Sequence, residues 1–167
     1  MGFVFANEAV DQTHSLKLKT TVASDLAAHW ASATTSIPSS ASDWTSFTSI
    51  DGTDVGIDFS KSGKQDVGVF GYKTNSTTLA KFSIEGTSFE ASGTDAPTTT
   101  VGYDIYNGDS KIVASGASAV GFITESSANG GKLRFGGVKI SILLGPEATT
   151  AGAGSYTATL KVTTKAI

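Results

Sequence analysis

Short runs of alternating apolar residues, each cut off by Gly, Asn or Asp, recur along the whole chain. Side chains of a strand point to opposite faces with period two, so such runs read as half-buried strands. Val55, Ile57 and Phe59 alternate between Asp51-Gly52 and Ser62-Gly63. Val67 to Tyr72 is a stronger run; Lys73 to Thr78 then reads as a turn that leads back to Phe82 and Ile84 in a long hairpin. Val101 to Tyr106 runs into Asn107-Gly108 and returns through Ile112 and Val113. Asn-Gly between alternating runs is a strong hairpin signal, since both residues tolerate positive φ. Val138, Ile140 and Ile142 form a further strand, stopped by Gly145-Pro146. Tyr156, Ala158, Leu160 and Val162 share one face of the last strand. Seven or eight strands spaced by turns, without a long helical pattern, predict an all-β antiparallel sandwich.

Two stretches are less regular. Leu26 to Trp30 fits either a short helical turn capped by Asp25 or a strand. Ala31 to Thr48 is rich in Ser, Thr and Ala, and reads as loop or edge structure whose aromatics, Trp44 and Phe47, plug the core. Phe89 and Pro97 lie in a loop-rich bridge.

The first alternating run places Leu16, Leu18, Thr20 and Val22 on one side and Lys17, Lys19 and Thr21 on the other. Neither Asn-Gly nor a similar turn signal follows it to fold it back as a hairpin. The pattern suits an ordinary first strand of a sandwich, the commoner use of such a run. It also suits a strand that serves a neighbouring subunit. Ahead of it, Met1 to Ala6 resembles the tail of a secretory signal that lacks its basic start and most of its apolar core. These six residues fit a signal remnant, an expression scar or a native start equally, and are set aside in reading the fold.

With 167 residues the chain is long enough for one domain with its own core. It contains no cysteine, which excludes disulfides and thiolate metal sites. A net charge of −3 without a basic block argues against nucleic acid as a partner. Charged residues make up only 16%, which suits a surface partly covered by partners. No apolar run approaches the ~20 residues of a membrane-spanning helix.

Catalytic and metal patterns are weak. Glu8, Asp11 and His14 read as a solvated leader, and His14 and His29 form no HxH or HExxH arrangement. Asp51, Asp54 and Asp58 lack the twelve-residue pattern and terminal Glu of a calcium loop. Trp44, Tyr72, Tyr103 and Tyr106 would be a sugar platform only if they met on one surface; core plugs are the commoner use. No cofactor is expected, and no enzymatic activity.

Three stretches together resemble the chaperone–usher pilus subunits, especially the cysteine-free α-type major pilins of colonisation-factor fimbriae. Leu16 to Val22 looks like their N-terminal donor strand. Val69 to Lys81 looks like their central hairpin, with Asn75 followed by Thr and Lys. Ile140-Ser141-Ile142 and then Ala153 to Val162 look like their closing strands, with a small-Gly-x-Tyr entry. In order and spacing these cover most of the chain. Those pilins often carry a proline after the donor strand, where this chain has Ala23-Ser24-Asp25.

The resemblance implies an immunoglobulin-like sandwich, residues 23–167, that lacks its last strand and follows an N-terminal extension, residues 1–22, carrying the donor strand. Leu16, Leu18, Thr20 and Val22 would enter a neighbour's groove, and Tyr156, Ala158, Leu160 and Val162 would line that acceptor groove. It further implies a homopolymer built by donor-strand exchange, with a periplasmic chaperone, an outer-membrane usher and, where the pilus has one, a tip adhesin as partners. The place of such a protein is outside the cell, in a fimbrium, reached through the periplasm. The alternative class is a monomeric extracellular carbohydrate-binding sandwich.

Overall fold

The computed structural model of the chain describes residues 26–76, 80–92, 98–125 and 132–166. Ten strands and one short helix follow in the order β1 (Leu26–Ala31), α1 (Ala41–Ser46), β2 (Gln65–Thr74), β3 (Ala80–Gly86), β4 (Glu90–Ser92), β5 (Tyr103–Asn107), β6 (Ser110–Ala114), β7 (Val120–Glu125), β8 (Arg134–Leu144), β9 (Ser155–Thr157) and β10 (Leu160–Ala166). A five-stranded sheet has the order β1-β2-β8-β5-β6, and a three-stranded sheet the order β10-β3-β7. All their pairings are antiparallel. The short strands β4 and β9 pair with each other. The chain is thus mostly β, with antiparallel sheets, as the alternating runs predict.

The two larger sheets share one apolar interior. Ile84 of β3 is packed in one cluster with Ile105, Val113, Ile140 and Ile142 of the five-stranded sheet. Phe70 and Tyr72 of β2 meet Phe82 of β3 at ring distances of 5.6 and 4.8 Å. Each fully buried aliphatic or aromatic side chain of this kind stabilises the fold by about 1.5–3 kcal/mol.

Strand β2 is buried on both faces from Gly68 to Tyr72. Phe70 and Tyr72 point to the interior, while Val69 packs outward against Ala31 and Phe47. That outer cover is supplied by the Ser/Thr-rich stretch. It forms α1, where a loop or edge was expected, because Ser40 accepts from the Asp43 N–H as an N-cap. Asp43 in turn accepts from the backbone and hydroxyl of Ser39. The helix swings Phe47 onto Gly71, where an added Cβ would lie 2.5 Å from the Phe47 ring. The expected burial of Phe47 is seen, and Trp44 packs against the same cluster.

Several expectations need correction. Leu26–Trp30 is a strand, the second of its two readings. Val55, Ile57 and Phe59 do not lie in a strand. Ile57 and Phe59 are partly buried, but Val55 is 44% exposed. The segment finds no ladder partner among the described residues, and alternation without a partner does not make a strand. Strands β2 and β3 are not a hairpin: β2 pairs with β1 and β8, β3 with β7 and β10, and the chain changes sheet between them. With both faces buried, β2 takes a central position and needs a partner on each side. The closing run Tyr156 to Val162 is two strands, β9 and β10. Tyr156 pairs with Ala91, and Thr159 exchanges bonds with Thr87 between the two strands.

The β5–β6 hairpin forms as expected, with a shifted turn. Asn107 pairs with Ser110, so Gly108-Asp109 is the two-residue loop. Only Gly108 has a positive φ, 58°, the requirement of a turn with Gly in its first central place. Strand β8 ends as predicted at Gly145-Pro146, where Gly145 N–H donates to Gly102 and a 3-10 turn, Pro146–Thr150, begins.

Candidate functional site

On one side of the molecule the two sheets present β1 and β10, the outermost strands of each. A groove of about 640 Å³ opens between them. One wall is Ala28, His29 and Trp30 of β1 with the segment Ile50 to Val55. The other wall is Tyr156 to Val162 with Thr164. Its floor is core: Phe70 of β2, Tyr103 of β5 and Ile142 of β8 all reach it. These three are only 3–5% exposed in total, so the groove leads directly into the shared interior.

Tyr156, Ala158, Leu160 and Val162 thus all line one groove although they belong to two strands and their link. On β10 the alternation is regular: Leu160 and Val162 are half-buried, Lys161 and Thr163 exposed. Lys161 pairs at the surface with Glu85, 3.3 Å away. Leu16, Leu18, Thr20 and Val22 lie outside the described residues, as do Glu8, Asp11 and His14. The reading of residues 1–22 as a separate extension falls there too.

The backbone of β10 is paired on one side only among the described residues. Thr87 N–H donates to Thr159 O, and the β3–β10 register continues without a shift. By alternation Lys161 and Thr163 face β3, while the N–H and C=O groups of Leu160, Val162 and Thr164 face the groove. A row of backbone groups above an apolar floor is the chemistry that accepts an extended peptide.

Opposite β10 the wall is of another kind. Trp30 N–H donates to Asp51 Oδ1 at 2.9 Å, and Ile50 N–H donates to Trp30 O at 2.8 Å. Both outward backbone groups of Trp30 are therefore in use. Gly52 holds the turn with a φ of 74°, and Thr53 closes it on Ile50 O. Asp51-Gly52 makes the turn expected from its composition, and the Asp51 carboxylate serves Trp30. Sequence reasoning assigned no part of this wall to the site. Only long-range contacts bring β1 and residues 50–55 opposite the last strand.

Aromatic residues elsewhere are committed to packing. Tyr103 is buried, and desolvation pushes its phenol up to about 12. Tyr72 is buried at the far end of β2, and its hydroxyl donates to Glu125. Burial first, then the bond to Glu125 and its charge, push the Tyr72 phenol well above its ordinary value, with Arg134 opposing. Tyr106 carries Lys64 Nζ over its ring at 4.6 Å. Trp44 stacks on Phe47 and meets the His29 ring at a tilt, 4.6 Å between centroids. With Tyr72 and Tyr103 in the core, these four aromatics do not make one sugar platform. His29 is held by Phe47 O at 2.6 Å rather than by a carboxylate. Among the described residues no group of three or more His, Asp or Glu side chains comes together to hold a metal. No described helix is long and apolar enough to cross a membrane.

No family model, no curated protein and no solved structure matches the chain.

Proposed function

We propose that the chain is a structural subunit of an adhesive bacterial pilus, an incomplete immunoglobulin-like sandwich that polymerises head to tail by donor-strand exchange. The observation that carries this reading is the groove itself. Among the described residues it lies between the outermost strands of two sheets, its floor is core, and the edge of β10 that runs along it has no strand partner. An open edge over apolar surface is a liability for an isolated domain and an asset for one completed by a neighbour. Leu16, Leu18 and Val22 of the next subunit supply the apolar side chains, with Thr20 between them. Their burial is worth about 5 kcal/mol or more before ordering costs. Each subunit gives a strand at one place and takes one at another, so the contact is heterologous and grows a filament. The chemistry is strand exchange and requires no catalytic residue. A periplasmic chaperone holds the groove before the usher hands it to the next subunit, and the product is a fimbrium outside the cell.

The test uses the full chain. Sedimentation across a range of concentrations should show assembly, and a labelled peptide spanning Thr13 to Val22 should be taken up and shorten the chains. Leu18→Arg places a charge in an apolar groove and should suppress assembly. A chain that stays monomeric at every concentration and ignores the peptide would rule out the pilus reading.

A further inference from the structure

The groove has two unlike walls, and the difference bears on whose strand can fill it. Resting on the donor-strand reading above, we propose that the Ile50–Thr53 turn is an edge guard. By occupying Trp30 it denies β1 to the chain's own N-terminal strand, and so keeps the groove for the same segment, Leu16 to Val22, of a second copy.

Only Ala23-Ser24-Asp25 separate Val22 from Leu26, the first residue of β1. The simplest self-completing arrangement is an antiparallel hairpin across that three-residue link, with the segment added to the outer edge of β1. Val22 would then face Leu26, Thr20 would face Ala28 and Leu18 would face Trp30. Pairs two residues apart share the same side of a strand, so Leu26, Ala28 and Trp30 offer the outward backbone groups. At Trp30 both groups are taken, the N–H by Asp51 Oδ1 and the C=O by Ile50 N–H. Such a hairpin would stop after Thr20, with no ladder partner on β1 for Leu18 or Leu16. Among the described residues no such guard covers β10, whose outward groups at Leu160, Val162 and Thr164 flank the apolar floor. A strand from a second copy is free of the short link and pairs there along its full length. The guard is built to persist: Thr53 closes the turn with both its N–H, 3.0 Å, and its hydroxyl, 2.6 Å, on Ile50 O.

Two full-length variants test this. Asp51→Ala removes the acceptor on Trp30 N–H. Gly52→Ala strains the turn at a φ of 74° while its Cβ meets nothing within 4 Å. Because its side chain enters open space, Gly52→Ala keeps the test alive if Asp51→Ala fails to fold, as judged by circular dichroism. Assembly is read by sedimentation against concentration, together with amide exchange in the dilute monomer. The expected result is a concentration for half-assembly raised roughly fivefold to tenfold, the worth of one net hydrogen bond. New protection should appear at the Leu18 amide in the variant monomers, where the hairpin would extend past Thr20. Wild-type assembly behaviour in both folded variants overturns the guard and leaves the pilus reading intact. Protected β10 amides in the dilute wild-type monomer also overturn it, because the chain's own segment would then already fill the groove. A wild-type chain that neither assembles nor takes up the Thr13–Val22 peptide overturns both.

Discussion

The Tyr72 hydroxyl on β2 donates to the Glu125 carboxylate at the end of β7, which joins the two sheets at the end of their shared core. Arg134, at the start of β8, completes the group: its Nε lies 3.2 Å from the other carboxylate oxygen, and its Nη2 donates to Ser76 O. The ion pair is largely out of water, with the Arg134 side chain 11% exposed. Removing one member of such a group leaves a charge without its partner, which costs more than the pair contributes. Glu125→Ala is expected to lower stability by about 2–4 kcal/mol. Tyr72→Phe removes one hydrogen bond to a charged group and should cost about 1.5–3 kcal/mol. Chemical denaturation of the three proteins checks both values. Equal stabilities would mean that the sheets are held at this end by apolar packing alone.

Gly71 and Phe47 make a second testable contact. The Phe47 ring lies where a Gly71 side chain would be, and Pro38 stands 3.2 Å from the same point. Gly71→Ala must push the ring off β2 and with it the end of α1. A loss of about 1–3 kcal/mol is expected, the range for an overfilled core. The double variant Gly71→Ala/Phe47→Ala should lose less than the sum of the single changes, since one removes the obstacle for the other. Additive losses would show that the two do not compete for this space.

Alkaline pH should act through Tyr103. Burial favours its neutral phenol and raises it from 10.0 to about 12 in the folded chain. The folded state thus holds the proton more tightly than the unfolded one. The contribution is complete below pH 10 and is lost as the pH rises through about 12. Tyr72 shifts in the same direction and adds to the slope. Denaturation midpoints recorded between these pH values should fall for the wild type and fall less for Tyr103→Phe. Parallel curves would mean that the Tyr103 phenol titrates alike in both states.

What could be read from residues alone was local. The Asn107 hairpin, the Gly145-Pro146 stop and the alternating closing strands depend on neighbours in sequence, and these elements are present. The turn at Asn107 shifted by one residue because Gly108 alone takes the positive φ. Val55, Ile57 and Phe59 carried the pattern of a strand but had no ladder to join. The helix α1 did have a local signal, Ser40 three residues before Asp43, masked by a composition that also suits loops. The β2–β3 hairpin failed for a long-range reason, since the choice between turning back and crossing to another sheet depends on β1 and β8. The site divides in the same way. Tyr156, Ala158, Leu160 and Val162 were readable as one apolar face, while the wall opposite, from Ala28 to Trp30 and Ile50 to Val55, exists only through the sheet order.

The edge of β10 allows strand addition to be separated from folding. Thr164 and Thr163 are neighbours with opposite duties: by the alternation from Thr159, Thr163 faces β3 and Thr164 faces the groove. Proline removes an N–H donor and is tolerated on an edge strand when that donor points away from the sheet. Thr164→Pro should keep the β3–β10 ladder, with a melting temperature close to the wild type, and should weaken uptake of the Thr13–Val22 peptide. Thr163→Pro removes a ladder bond and should lower stability itself, by about 1–3 kcal/mol. Thermal melts and peptide titrations of the two variants give four values to compare. Loss of peptide uptake in Thr164→Pro with an unchanged melt would identify β10 as the pairing edge. Undiminished uptake would mean that an incoming strand does not pair with this edge, and that the groove is filled through its apolar floor alone.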